Sequence, residues 1–154
     1  MYNHEPKDYK CPFCGLEAGV DYENVLSKQD DIVYQDQYLT AFIGTHWWLH
    51  NSGSVIIVPN KHIENIYDLD DETGAKVFSL ARKIAIAMKQ EYKCDATSTR
   101  QHNEPAGNQS VWHYHFHIIP RYNGDDLYLN HKNKKYIEPN IRKIWADKLK
   151  NKIG

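Results

Sequence analysis

The segment at residues 113–120 constrains the fold of this chain more than any other, because its sequence, HYHFHIIP, alternates histidines with large apolar residues. A period of two is typical of a half-buried β-strand, and the proline favours the end of that strand. Successive side chains of a strand point to opposite faces, so one set is expected in the core: Tyr114, Phe116 and Ile118. The other set is expected on the opposite face at intervals of roughly 6.6 Å: His113, His115 and His117.

Three imidazoles on one face of a strand contribute little to packing, because each ring needs hydrogen-bond partners and neighbouring imidazolium ions repel one another. Imidazole titrates near neutral pH and serves both as a metal ligand and as a nucleophile. The chain has 9 histidines and places three of them in this segment. The pattern therefore favours metal binding or phosphoryl chemistry over a solvated polar face with three incidental histidines.

The length of the chain, 154 residues, predicts a single domain that spans residues 1–154 and can bury a core. Hydrophobic residues make up 41% and charged residues 25%, which is typical of a soluble protein. The longest apolar runs have about five residues, and the polar N-terminus is unlike a signal peptide. Three cysteines, two of them in a CxxC pattern, favour a reducing compartment. These features predict a cytoplasmic protein without a membrane span.

Positive charge is concentrated near the C-terminus, although the net charge of the whole chain is only -1. Residues 132–152 contain eight lysines or arginines and two acids, whereas the rest of the chain contains eleven basic and eighteen acidic residues. Such a segment is compatible with binding to a nucleic acid or an anionic substrate. The simpler interpretation, a solvated helix face, is favoured.

Apolar periodicity predicts an α+β fold with a mostly antiparallel sheet. Strands are expected at residues 31–34, 38–43, 54–58, 96–101 and 111–119. A long helix is expected at residues 71–92 with Asp70 as its N-cap, and shorter helices near residues 63–69 and from Pro139 onwards. The last helix is expected to bury one apolar face: Ile141, Ile144, Trp145, Leu149 and Ile153.

The histidine segment resembles the signature of the histidine triad (HIT) family, His-x-His-x-His followed by apolar residues. Residues 54–63, SVIIVPNKHI, are similar to the family's second strand and the turn after it, and residues 107–111, GNQSV, resemble its phosphate-contacting loop. Residues 11–14, CPFC, look like the zinc knuckle of the bacterial branch. The four elements occur in the family's order, and together they place about residues 8–122 within the resemblance.

The resemblance implies a five-stranded, mostly antiparallel sheet with one long helix and a C-terminal helix. Residues 1–20 would form the zinc-knuckle segment, and residues 137–154 would form the C-terminal helix. In family branches with a long helix and a C-terminal extension, two subunits usually join into one continuous sheet. A homodimer is therefore expected.

Cys11 and Cys14 have the spacing of two thiolate ligands to one tetrahedral Zn²⁺. Two more ligands are needed, and the third cysteine, Cys94, is expected in a structural position within or just after the long helix. The resemblance implies that His62 and His113 complete a structural zinc site, which would attach the N-terminal segment to two core elements. A turn with two free thiols is the alternative, and a redox role is disfavoured because no thioredoxin-like βαβ context surrounds the CxxC.

For the reaction, the resemblance implies that His115 attacks the α-phosphorus of a nucleotide conjugate to form a nucleotidyl-histidine, which water then hydrolyses. His117 would hold a non-bridging phosphate oxygen. Five further residues are candidates for phosphate or substrate contact: Ser110, Gln109, Asn103, Ser54 and Trp47. The expected protein is a hydrolase or transferase acting on nucleoside phosphoramidates or dinucleoside polyphosphates. The alternatives are a zinc-stabilised nucleotide-binding protein with little or no turnover and, from the basic tail alone, a nucleic-acid-binding module.

The sequence departs from the family pattern at two positions. Most members have a fourth histidine eight residues before the position of His62, where this chain has Ser54, and His46 or His50 could fill that gap. An acidic residue that binds the ribose diol commonly follows the Ala-Phe strand, where this chain has Gly44. The first departure weakens the expectation of turnover, and the second weakens the expectation that ribose is recognised.

The loop at residues 45–51, THWWLHN, is longer than is usual in the family and contains Trp47 and Trp48. The two indoles could stack on a base or another flat group. They could equally pack in the core or in a dimer interface, and the sequence leaves both possibilities open.

Overall fold

The computed structural model describes residues 2–20 and 22–153, so Met1 and Gly154, the two ends of the predicted domain, lie outside the described residues, as does Asp21. The strands are β1 (Ile32–Gln35), β2 (Leu39–Ile43), β3 (His46–Trp48), β4 (Val55–Pro59), β5 (Ala96–Gln101), β6 (Phe116–Arg121) and β7 (Lys134–Tyr136). The α-helices are α1 (Pro12–Ala18), α2 (Asp71–Glu91) and α3 (Pro139–Ile153). The short helix predicted near residues 63–69 is a single 3₁₀ turn, Ile66–Asp68.

Five strands form one antiparallel sheet in the order β1-β2-β4-β6-β5, and β3 pairs with β7 in a separate antiparallel ribbon. The α+β class and the five-stranded antiparallel sheet predicted from the sequence are therefore confirmed. Among the described residues, none of the helices is both long enough and apolar enough to cross a bilayer.

The two faces of the sheet bury different clusters, because side chains alternate along each strand. One face, the helix face, packs against α2 and α3 and includes Ala41, Ile43, Val55, Ile57, Phe116 and Ile118. The other, the histidine face, packs against α1 and the β3–β7 ribbon and includes Phe42, Val58, His117 and Ile119. The sheet thus separates a helical core from the surface that carries the catalytic candidates.

Helix α2 follows the sequence prediction closely, since its N-cap and its apolar stripe are both in place. The Asp70 carboxylate accepts a hydrogen bond from the Thr73 amide at 2.8 Å, and the acids in the first turn lie at the positive end of the helix dipole. The predicted stripe is buried: Val77, Leu80, Ala81, Ile84 and Met88. Full burial of one such aliphatic side chain contributes about 1.5–3 kcal/mol to the stability of the fold. The packing of α2 therefore fixes the sheet whose other face carries the candidate histidines.

The apolar face predicted for α3 is wrong in the first half of the helix. Ile141 and Ile144 are exposed, whereas Arg142 is fully buried and its guanidinium lies 2.8 Å from the Asp31 carboxylate. A buried carboxylate is stable only with a charged partner, and this pairing decides which side of the helix faces the core. The other predicted positions do pack against the core: Trp145, Leu149 and Ile153.

The strand predicted at residues 111–119 begins only at Phe116, so of the expected ladder of three histidines only His117 lies on the strand. His113 lies in a turn, with its amide donating to the Val111 carbonyl at 2.8 Å. The next amide donates to the Ile63 carbonyl, so the backbone here is satisfied without strand pairing. The apolar residues of the segment are nonetheless buried as predicted: Tyr114, Phe116 and Ile118.

Candidate functional site

Four side chains from three separate parts of the chain converge at the start of α1: Cys11, Cys14, His62 and His113. Their ligand atoms all lie within 4.8 Å of one another. Cys11 Sγ is 3.3 Å from His113 Nδ1, and Cys14 Sγ is 3.3 Å from His62 Nδ1. A tetrahedral ion with bonds of ~2.3 Å to sulfur and ~2.1 Å to nitrogen would place such atoms roughly 3.5 Å apart. The donor set and its spacing therefore fit one tetrahedral metal ion, with the four residues that the sequence suggested.

Each histidine of this cluster is oriented through its other ring nitrogen. His113 Nε2 lies 2.9 Å from the Pro59 carbonyl oxygen, and His62 Nε2 lies 2.9 Å from the Glu5 carboxylate. A proton on Nε2 in each ring leaves the Nδ1 lone pair directed at the thiols. Histidines that bind a metal through one ring nitrogen usually donate from the other to a carbonyl or carboxylate oxygen, so these contacts support a metal site independently of the ligand spacing.

Helix α1 explains why a CxxC can present both thiols to the sheet. Cys11 occupies the N-cap position, and Pro12 suits the first turn because it has no amide hydrogen to leave unpaired. The helix ends at Gly19, whose φ of 68° is a left-handed conformation that favours glycine. A hydrogen bond from the Cys14 thiol lowers the pKa of Cys11 against the opposing effect of burial.

The residues before α1 are attached to the protein by polar contacts. The buried Glu64 carboxylate accepts hydrogen bonds from the backbone amides of His4 and Glu5, at 2.6 and 3.2 Å. The Tyr9 hydroxyl accepts a hydrogen bond from the Trp112 amide at 3.2 Å. These contacts hold the N-terminal segment across the turns that carry His62 and His113.

His115 lies immediately before β6 and is 5% exposed. Its Nδ1 is 2.6 Å from the carbonyl oxygen of His113, and the Phe13 ring of α1 approaches its imidazole edge-on at 5.4 Å between centroids. Burial lowers the pKa of His115 to about 4, so the ring is neutral at pH 7. The side chain is thus a neutral imidazole with one nitrogen engaged and the other unused.

His117 is on the histidine face of β6, with its ring centroid 5.1 Å from that of His115 and the two planes at 79°. In the strand register it lies between Ile56 of β4 and Arg100 of β5. Burial, with a smaller effect from His115, lowers the pKa of His117 well below its usual value. The two imidazoles that the sequence assigned to chemistry are therefore adjacent and neutral.

Residues 103–109 form a loop that is held by its own amide side chains. Gln109 is buried; its Oε1 accepts from the Glu104 amide at 2.7 Å, and its Nε2 donates to the Glu64 carbonyl at 2.6 Å. The Asn103 Oδ1 accepts from the Ile66 amide at 2.8 Å. Gln109 and Asn103 both make hydrogen bonds within the protein and so shape the loop, and their roles as phosphate contacts stay predictions.

Two serines were also predicted to contact phosphate, and the structure places them differently. Ser110 is exposed at the end of the loop, where its hydroxyl is accessible to a ligand. Ser54 is 4% exposed, and its hydroxyl donates to the Asn51 carbonyl at 3.2 Å within its own turn. Ser110 therefore remains a candidate, whereas the Ser54 hydroxyl is engaged by the backbone.

Three basic side chains around His117 were missed by the sequence reasoning: Arg100, His102 and Lys134. After burial, which is the main cause, positive charge on Lys134 and His102 contributes to the lowered pKa of both His115 and His117. The sequence feature that could have indicated Lys134 is the concentration of basic residues at 132–152, and among them Lys134 reaches the site. Its proximity depends on the pairing of β7 with β3, which no local pattern indicates.

The tryptophans of β3 belong to the core. Trp47 is 3% exposed and donates from Nε1 to the Gly44 carbonyl at 2.7 Å. Trp48 is 5% exposed and packs with Ile119 and Leu127. The core-packing alternative is confirmed, and the prediction of Trp47 as a substrate contact is wrong because core side chains enclose its ring.

Comparison with known proteins gives a consistent result. Residues 26–124 match the family model described as the HIT domain. The protein called "Protein hit" of Bacillus subtilis is 35% identical over 116 residues, which are 75% of this chain and 74% of that protein. The crystal structure of a Zn-bound histidine triad family protein from Mycobacterium smegmatis has a TM-score of 0.75 at 22% identity, covering 94% of this chain and 93% of that one. The diadenosine triphosphate hydrolase of Plasmodium falciparum has a TM-score of 0.70 at 18% identity, covering 98% and 87%.

Proposed function

This chain belongs to the HIT family, and from that premise we propose that it is a hydrolase or transferase that cleaves a phosphorus–nitrogen or phosphoanhydride bond at the α-phosphorus of a nucleotide conjugate. The observation that carries the proposal is the orientation of His115, whose Nδ1 lies 2.6 Å from the His113 carbonyl oxygen. A carbonyl can only accept, so Nδ1 carries the proton of the neutral ring and Nε2 carries the lone pair.

In the first step, the Nε2 lone pair of His115 attacks the α-phosphorus. The bond from phosphorus to the leaving group breaks, the leaving group takes the bonding electrons, and a nucleotidyl-histidine forms; an amine leaving group also takes a proton from solvent. In the second step, water attacks the same phosphorus and gives up a proton to solvent while the electrons of the P–N bond return to Nε2. The products are a nucleoside monophosphate and the leaving group, and His115 is restored as a neutral imidazole.

His117 and Ser110 are proposed to contact the phosphate oxygens during both steps. The His117 ring is next to that of His115, so a phosphorus atom bonded to Nε2 would have its oxygens within reach of His117. A hydrogen bond to an oxygen that gains negative charge lowers the barrier more than it stabilises the ground state. Ser110 offers an exposed hydroxyl on the neighbouring loop.

The cluster of Cys11, Cys14, His62 and His113 is proposed to hold one structural Zn²⁺. Four protein ligands close a tetrahedral site and leave no position for substrate, so the metal would contribute folding energy. The Zn-bound relative from Mycobacterium smegmatis supports zinc as the identity of the metal. With the N-terminal segment held in this way, the whole chain is proposed to act as one domain.

The test of the chemistry uses the purified, metal-loaded protein with adenosine phosphoramidate and, separately, with diadenosine triphosphate. Release of AMP from either substrate is expected. A reaction quenched within the first turnovers should contain a nucleotidyl adduct that mass spectrometry locates on His115. An adduct on a different residue, or the absence of AMP from both substrates, would contradict the proposal.

A second candidate, a zinc-stabilised nucleotide-binding protein with little or no turnover, is favoured by one observation. The residue in the place of the family's fourth histidine is Ser54, and its hydroxyl is engaged by the Asn51 carbonyl. Saturable binding of AMP without hydrolysis of either conjugate would support this candidate over the hydrolase.

A further inference from the structure

Two basic side chains share one indole beside the proposed reaction centre. The Lys134 ammonium lies 4.2 Å from the centre of the Trp48 ring, and the Arg100 guanidinium carbon lies 5.4 Å from it. Trp48 is held in place because it is buried and its Nε1 donates to the His131 carbonyl at 3.0 Å. A fixed aromatic ring therefore positions both cations.

The strand registers show where these two cations lie relative to His117. Arg100 is directly opposite His117 in the β5–β6 register, so both side chains lie on the histidine face. Lys134 is opposite Trp48 in the β3–β7 ribbon. Arg100 thus borders the imidazole proposed to contact phosphate, on the side away from Ile56 and β4, and Lys134 joins it across the Trp48 ring.

Neither cation is neutralised by the protein. Within residues 2–20 and 22–153, no carboxylate lies within 4.0 Å of Arg100 or Lys134, and neither side chain makes a hydrogen bond. The other bases of the C-terminal segment are mostly paired, as Arg142 is with Asp31 and Lys152 is with Glu91. Partial burial, and then the charge of Arg100, lower the pKa of Lys134, as expected for two cations held close together.

We propose that Arg100 and Lys134, supported by Trp48, form a subsite for the phosphates of the leaving group, so that the preferred substrates are phosphoanhydrides such as dinucleoside polyphosphates. This inference rests on the proposed function and names its substrate class. When the bridging P–O bond breaks, the leaving phosphate departs with the electron pair as an oxyanion, and the two cations stabilise that charge. An amine leaving group must instead gain a proton, and two nearby cations would oppose that positive charge. The subsite therefore favours phosphoanhydrides over phosphoramidates.

The test compares AMP release from diadenosine triphosphate and adenosine phosphoramidate by the wild type and by the Arg100→Gln/Lys134→Gln double variant. Contacts from charged groups to phosphate predict that kcat/KM of the double variant falls about 30-fold or more on the polyphosphate and changes less than about threefold on the phosphoramidate. The matched control is Lys135→Gln, which removes the same charge from the neighbouring residue of β7, opposite Trp47. Equal losses on both substrates, or an equal loss in the control, would overturn the inference.

A binding measurement separates this inference from the proposed chemistry. Inorganic triphosphate is titrated calorimetrically into the wild type, the double variant and the Lys135→Gln control, each with an unchanged melting temperature. The subsite is supported if the wild type and the control bind triphosphate and the double variant does not. This holds even if no substrate is hydrolysed, and in that case only the proposed function fails. Binding that is the same in all three proteins overturns the subsite even if AMP is released.

Discussion

At the scale of single residues, His115 and His117 are both neutral imidazoles, but their proposed roles predict different losses of turnover when each is replaced. His115→Ala removes the proposed nucleophile, so turnover should fall by several orders of magnitude, since the covalent route is lost. His117→Ala removes one contact to phosphate and should cost about two to three orders of magnitude. AMP release in the steady state measures both effects.

Two controls keep this comparison interpretable. His131→Ala removes an exposed imidazole from a loop and should leave turnover unchanged. AMP should still bind to the His115→Ala protein, because the contacts from His117 and Ser110 remain. If His115→Ala kept more than about a tenth of the wild-type turnover, a barrier change under ~1.4 kcal/mol, the assignment of the nucleophile would be wrong.

The buried His117 imidazole should also make the free energy of unfolding depend on pH. Burial holds its pKa well below its usual value in the folded protein, whereas the unfolded chain takes up a proton near pH ~6.5. Below that pH the unfolded state binds more protons, so the free energy of unfolding should fall as the pH drops, by at most about 1.4 kcal/mol per pH unit from this group. Urea unfolding at about pH 7.5 and about pH 5.5 should show a smaller loss for His117→Gln than for the wild type. The same loss in both proteins would mean that His117 is not the group responsible.

At the scale of elements, the stability of α1 is predicted to depend on the proposed zinc site. This helix has 7 residues, too short to be stable alone, and its two thiols face His62 and His113. Cys11→Ser/Cys14→Ser should therefore abolish metal binding and lower the melting temperature, with the segment before α2 losing hydrogen-exchange protection first. The wild type should contain about one zinc per chain by metal analysis. Cys94→Ala, which removes a thiol outside the cluster, should keep its zinc, and a wild type with well under half an equivalent would refute the site.

Helix α3 depends on a buried ion pair that apolar periodicity could not anticipate. Arg142 and Asp31 are both fully buried, and the guanidinium also donates to the Leu26 carbonyl at 3.1 Å. Arg142→Met leaves the buried carboxylate without its cationic partner, although the Lys28 amide still donates to it at 2.7 Å, and should destabilise the fold by about 3–5 kcal/mol. Adding Asp31→Leu should recover most of that loss, because an apolar pair needs no compensation. Chemical denaturation measures both, and an Arg142→Met protein within about 1 kcal/mol of the wild type would contradict the role of the pair.

The elements also indicate what a sequence can and cannot predict. Helix α2 and β5 agree with the prediction within a residue, because their periodicity and capping are local properties. The start of β6 was wrong because the His113 ring turns towards Pro59 and the cysteines, a contact between distant parts of the chain. Cys11 and Cys14 were predicted as metal ligands from their spacing, whereas His62 and His113 were available only through resemblance to a family. Arg100 and Lys134 were missed because their proximity depends on the register of two separate sheets.

At the scale of the whole molecule, the fold separates stability from chemistry. The helix face of the sheet carries the main core with α2 and α3, and the histidine face carries the cluster of two cysteines and two histidines, the imidazoles and the cation pair. Substitutions on the histidine face can therefore change activity without removing the main core. The tryptophans of β3, for which the sequence left a dimer interface open, are buried within one chain.

The remaining exposed features still predict a homodimer. Strand β5 is at the edge of the five-stranded sheet, so one side of its backbone has no strand partner among the described residues. Phe78 of α2 is 64% exposed, with its ring 5.2 Å from that of Phe116, the residue opposite Gln101 of β5. An open strand edge and an exposed aromatic ring thus lie side by side. Antiparallel pairing of β5 with the β5 of a second copy would cover both.

Sedimentation at micromolar protein should therefore give about twice the chain mass of 18.1 kDa. Phe78→Glu should shift the species towards the monomer, because the dimer would bury an unpaired carboxylate at this position. Ile144→Glu is the matched control, since Ile144 is 58% exposed on α3, which packs near β1 rather than β5. A single 18.1 kDa species for the wild type, or equal dissociation in both variants, would contradict an interface at this edge. Dimer formation at β5 would also fix the strand that carries Arg100, so the monomeric variant should lose more activity on polyphosphates than on phosphoramidates.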